Sequence, residues 1–376
     1  MATSIQHIGQ EHQVQKKLAY PAWQRIIVLV VLGYEGAGCL SGGGLLVAAP
    51  DGRLMDMPVG LMHGVFRDFM IPGIILIGLG ILTIVAFIAV LRRFFSGWFM
   101  ACLSLGGLLI WFWIEIAILQ ELHWLDAMWG LPGVLGAIMT VPLIPFWRTA
   151  IHKAALFCGI LSSVLFVAIN VIVPLQYPGY SLAAQVPSEL SAIGAPTKFL
   201  WSVLATPYTF FMIMFAWGVW KSAGESFYLR IAGVSMFAYG ALGFLWPFAP
   251  MHQREVLAAG GGTFTDNMHI ALGAVTQLFF LLALGFSAAA LGKRFRIYSI
   301  ATFVVLLFFG ILTFMEAPNL STNEPTPTIG IWERINIGVF LLWVIVLAVI
   351  LLKKDKTSVA RIGVAGNPLC FHWQPD

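Results

Sequence analysis

The sequence predicts an all-α fold: a polytopic transmembrane helical bundle of about ten spans, four plus six, with both termini cytoplasmic. Three observations lead there. Hydrophobic residues make up 59% of the 376 and charged residues 10%, whereas a soluble domain carries roughly a quarter charged residues. Apolar runs recur along the chain at about the 20 residues needed to cross a ~30 Å hydrocarbon core, where helix is the one open-ended structure that satisfies its own backbone. The lysines and arginines fall in short groups at alternate ends of those runs, as topology charges do.

Residues 1–25 are polar and read as a cytoplasmic segment. The run Ile26–Ala48, flanked by Lys16, Lys17 and Arg25, is longer than a signal-peptide core and is expected to stay as the first span. Met70–Leu91 and Gly97–Leu119 follow, joined by the short basic turn Arg92–Ser96, and Trp129–Trp147 closes a four-span module over 26–150. After the basic stretch Arg148–Lys153 come Ala154–Val173, Phe199–Trp220, Leu229–Trp246, Met268–Leu291, Ile297–Met315 and Ile331–Leu352, a six-span module over 151–354 with a cytoplasmic tail over 355–376. Under this topology only Arg53, Arg67, Lys198, Arg254 and Arg334 of the 21 lysines and arginines lie outside. The outer connections, such as Pro50–Phe69, Pro174–Lys198 and Pro247–Asn267, are long and rich in Gly, Pro, Ser and Thr, so loop-borne function is expected on that side. Many tryptophans, Trp201 and Trp246 among them, fall near span ends, where amphipathic rings settle at the interface.

The net charge of +4 and pI near 8.9 belong to these scattered topology charges, leaving no basic patch for a nucleic acid. Four cysteines without C-x-x-C spacing support neither a disulfide framework nor a cysteine metal site. The mean hydropathy of +0.88 makes the lipid bilayer the principal partner; a small-molecule or lipid ligand is compatible with it.

Ionisable residues give the candidate sites. Asp266 and His269 are three apart at the start of a span and share a helix face, with His252 in the loop before them. Glu316 ends one span, Glu333 begins the next, and Glu189 lies in the longest outer loop. Histidines and carboxylates at one depth are the material of acid–base catalysis or of a divalent metal site such as zinc, with His252, Asp266 and His269 as ligands. The plainer account makes Thr265 or Asp266 a helix cap and His269 and Glu333 interfacial residues. Two carboxylates, Glu35 and Glu115, fall inside spans, where an ionisable group costs on the order of 3 kcal/mol and suggests a proton relay or a neutral structural carboxyl. Their depths differ by roughly 13 Å at 1.5 Å per residue, so direct pairing is not expected.

The stretches Tyr177-Pro-Gly-Tyr-Ser181, Ser188-Glu-Leu-Ser-Ala-Ile-Gly-Ala-Pro196, Asp266-Asn-Met-His269 and Trp332-Glu-Arg334 resemble the multi-pass family called domain of unknown function 998, over about residues 151–354. The amino-terminal part, with Gly33-Tyr-Glu-Gly36, Pro50-Asp-Gly52 and Asp68-Phe-Met-Ile-Pro-Gly73, resembles uncharacterised four-span bacterial membrane proteins. Together the resemblances imply a multi-pass protein of a bacterial inner membrane and lend no activity. No catalytic motif surrounds Ser188, which favours a non-catalytic envelope, sensing or assembly module. The alternatives are an outer-face metal-dependent hydrolase or lipid-modifying enzyme and a proton-coupled carrier using Glu35 or Glu115.

Overall fold

A computed structural model describes residues 22–94, 96–120, 124–140 and 147–365. No strand occurs among them, and one isolated bridge pairs Ile193 with His252. The chain divides into two compact units, residues 1–148 and 149–376.

The first unit holds α1 (Ala22–Ala48), α2 (Met70–Leu91), α3 (Gly97–Leu119) and α4 (Trp124–Thr140). Helices α1 and α2 run antiparallel: Arg25 at the start of α1 donates to the Val90 and Leu91 carbonyls at the end of α2, where a cation suits the helix dipole. At the other end the two backbones meet through glycines, since a Cβ on Gly43 would lie 2.9 Å from the Gly73 carbonyl oxygen. The connection between them turns at Gly52, whose φ of +78° and 1.9 Å Cβ distance to the Met57 oxygen admit no side chain.

The second unit holds α5 (Trp147–Ile172), α6 (Lys198–Lys221), α7 (Phe227–Leu242), α8 (Phe264–Ala290), α9 (Gly292–Glu316) and α10 (Ile329–Ala365). Its core is Phe215, Phe280, Leu156, Met212, Val344 and Trp343, with the Trp343 indole donating to Ser299 Oγ at 3.0 Å. The polarity is the reverse of a soluble helix. On α5, Ser162 and Ser163 are buried and hydrogen-bonded to the Gly159 carbonyl, while Phe157, Leu161, Val164 and Val171 form an exposed apolar stripe. Such a face is unfavourable in water and suits hydrocarbon.

Nine of the described helices are long and apolar enough to cross a membrane. The expected fourth span is described in part: helix α4 is described over 17 residues, Trp124–Thr140, about 25 Å of rise, and positions 141–146 of the expected Trp129–Trp147 lie outside the described residues.

Candidate functional site

The long connections of the second unit converge at one end of its helices, and two arginines fix them there. The segment after α5 forms a tight turn over Pro187–Ser191, in which Glu189 Oε1 accepts the Val186 N–H at 2.9 Å. Both carboxylate oxygens of Glu189 also take Arg254 in a forked pair, Nη2 to Oε1 at 2.6 Å and Nε to Oε2 at 2.8 Å, with side chains 5% and 11% exposed. Arg254 donates further to Thr326 Oγ1 and the Ala184 carbonyl. A charge pair this deep is favourable only because its remaining hydrogen-bonding positions are filled.

Arg334, in the second turn of α10, holds the same segment from beneath. Its Nη1 donates to the Leu182, Gln185 and Gly330 carbonyls, and its Nη2 to the Tyr180 hydroxyl at 2.7 Å. Tyr180 in turn reaches the Val186 carbonyl at 2.9 Å, and burial pushes its phenol up to about 12 against the pull of Arg334. The segment lies so close to α10 that a Cβ on Gly330 would sit 2.4 Å from the Gln185 oxygen, so glycine is required.

Beneath this cover is a cavity of ≈ 670 Å³, bordered by the turn residues Pro187, Ser188 and Ser191 and by α5 to α10. From Lys198 to Thr209 along α6 it extends about 16 Å at 1.5 Å per residue, half the ~30 Å hydrocarbon core. Phe166, Trp201, Tyr208, Tyr239, Phe244 and Trp246 form aromatic walls, and the hydroxyls of Tyr208 and Tyr239 satisfy each other at 2.8 Å. The charged residues on its lining, Lys198 and Glu333, are both near the loop-rich end. Among the described residues neither makes an ion pair with the other, and the Glu333 carboxylate accepts no hydrogen bond. Size, apolar walls and a few polar groups are the features of a small-molecule site.

The sequence candidates occupy separate settings. His252 pairs with Asp266, its ring Nδ1 2.8 Å from Oδ2 and its backbone N–H donating to Oδ1 at 2.7 Å. Asp266 simultaneously closes a capping box as the third helical residue, accepting the Thr263 N–H at 2.8 Å; the N-cap itself is Thr263 and not Thr265 or Asp266. His269 borders the cavity, but its Nδ1–H donates to the Ala249 carbonyl at 2.8 Å and its ring stands edge-on to Trp246 at 5.0 Å. Among the described residues no three His, Cys, Asp or Glu side chains gather as a metal centre would need, so the zinc-type arrangement of His252, Asp266 and His269 does not form there. Each of the three is already engaged with a nearby protein group. Glu316 shows the same plainly: it accepts the Thr328 hydroxyl and the backbone N–H groups of Thr328 and Ile329, capping α10 from the end of α9.

In the first unit, Glu35 is 1% exposed and neither carboxyl oxygen has a hydrogen-bond partner of normal geometry among the described residues, although Oε1 lies against Gly133. Glu115 is hydrogen-bonded by the Trp111 side chain one turn earlier. His123 falls outside the described residues.

Sequence reasoning passed over Arg254, Arg334, Tyr180 and the cavity walls. A signal was present: of the cations that break the positive-inside pattern, Lys198, Arg254 and Arg334 all end in this network or on the cavity. Trp201 and Trp246, expected near span ends, form part of the cavity wall.

Helix lengths, apolar outer faces and a half-bilayer-deep cavity define a multi-pass integral membrane protein of the helical-bundle class. The sequence profile described as "Protein of unknown function (DUF998)" matches residues 160–350, and the chain belongs to that family. No curated protein and no solved structure matches it.

Proposed function

We propose that this protein is a non-catalytic membrane module whose six-helix unit binds one lipid-like amphiphile. The observation that carries the reading is the shape of the cavity: polar and charged residues under a pinned loop, aromatic walls below, and a depth of half a bilayer. An amphiphile drawn from one leaflet has the same sequence of properties along its length. The positive-inside asymmetry supports an outward-facing loop-rich end, cytoplasmic termini and a bacterial plasma membrane as the setting, with the four-span module at 26–150 as a separate partner of the six-span module. The buried Glu35, whose carboxyl oxygens have no hydrogen-bond partner of normal geometry among the described residues, favours a second reading, in which the first unit takes up a proton as part of a carrier.

The test of the first reading is to fill the cavity. Ala205 and Gly310 both border it, and an added Cβ at Gly310 meets nothing closer than 3.7 Å. Ala205→Phe with Gly310→Leu is expected to leave folding intact and to lower co-purifying lipid, measured by native mass spectrometry, by about tenfold or more. Unchanged lipid retention in the folded variant sinks the proposal.

A further inference from the structure

The chemistry of the cavity's polar end bears on which headgroup it takes. Glu333 offers two carboxylate oxygens with no hydrogen bond from any described residue. Its neighbour Arg334 makes no hydrogen bond to it: both Nη groups are committed to the Leu182, Gln185 and Gly330 carbonyls and to Tyr180, and Nε is buried without a partner. His269 adds a third acceptor. The Ala249 carbonyl can only accept, so the ring's Nδ1 carries the proton, and in the neutral ring Nε2 is left as an acceptor. Thr276 Oγ1, also on the lining, is buried without a partner. An apolar environment penalises each such acceptor left unfilled.

An ammonium carries three N–H donors and a positive charge, and it is attracted to aromatic faces such as those of Trp201 and Trp246. Lys198, at the same end, faces the opposite requirement and suits an anion. We infer that the cavity selects a lipid whose headgroup bears an ammonium beside a phosphate, the ammonium held by Glu333 and His269 and the phosphate by Lys198. This rests on the lipid-binding reading above and adds the headgroup to it.

The test uses the full chain in detergent, titrated with phosphatidylethanolamine and with phosphatidylglycerol of the same acyl chains, bound lipid being counted by native mass spectrometry. The wild-type protein is expected to prefer the ethanolamine lipid by about tenfold, the value of one charge-assisted contact. Glu333→Gln, nearly isosteric, is expected to abolish that preference, so that the two lipids bind alike. Should that variant not fold, His269→Leu gives the same loss of preference with Glu333 in place. Tail-less phosphoethanolamine is expected to compete poorly; competition equal to that of the lipid overturns the lipid as ligand in favour of a free amine. Equal binding of both lipids, abolished together by the cavity-filling variant, overturns the headgroup assignment while the cavity reading stands. Binding untouched by the filling substitutions removes the cavity reading itself.

Discussion

Tyr180 shows how much of the loop-rich end depends on single polar atoms. Its hydroxyl accepts from Arg334 Nη2 at 2.7 Å and donates into the carbonyls of Gln185 and Val186, so one phenol ties the cover segment to α10. Because burial raises its folded-state value from 10.0 to about 12, the folded form binds the proton more tightly than the unfolded chain does. The associated stability is fully present below pH 10 and is lost as pH rises toward 12. Thermal unfolding of the wild-type protein, followed between roughly pH 9 and roughly pH 11, is therefore expected to fall more steeply than that of Tyr180→Phe, and parallel curves would show that the phenol carries no such linkage. At the same scale, Glu189 and Glu316 illustrate why residue type alone misleads. Both are carboxylates on the side where an active site was expected. One completes a buried fork with Arg254 and the other caps a helix, roles fixed by donors 65 and 12 or 13 residues away in sequence.

At the scale of elements, hydropathy sets helix length and small residues set helix distance. Helices α2 and α3 begin and end where the apolar runs do, because leaving the hydrocarbon and ending the run are the same physical event. Others extend past their runs, α1 back to Ala22 and α8 back to Phe264, since polar residues at a membrane interface can continue a helix. How closely two helices approach is a separate matter. Gly73 of α2 faces Val47, Gly43 and Leu46 of α1, and a Cβ there would stand 2.9–3.0 Å from each. Gly73→Val is expected to destabilise the first unit by about 1–3 kcal/mol, the usual cost of overpacking, with Gly78→Val as control because its Cβ meets nothing within 4 Å. Equal unfolding midpoints for the two variants would show that α1 and α2 do not need that approach.

For the whole molecule, the division at residues 148 and 149 invites a fragment experiment. The core of the second unit, from Leu156 to Leu351, draws on no residue of the first, so residues 149–365 are expected to insert and fold alone and to retain the bound lipid. Aggregation of this fragment under conditions where the full chain is monodisperse would argue for one obligate bundle.

Class, family and most span positions were legible in the sequence, because each depends on runs of neighbouring residues: about 20 apolar positions make a span wherever they occur, and the Tyr-Ser and Ser-Glu-Leu elements are local strings. The candidate site was legible only in outline. Composition placed histidines and acids at one end of the bundle, but whether His269 meets a metal, a ligand or the Ala249 carbonyl depends on a backbone atom 20 residues away. The arginine network spans 65 to 154 residues of chain, and a cavity is the space that six helices leave between them, a property of no single segment. Hydrophobicity acts residue by residue and can be read in order along the chain; hydrogen-bond partners and empty volume are set by packing, and tertiary structure alone decided them.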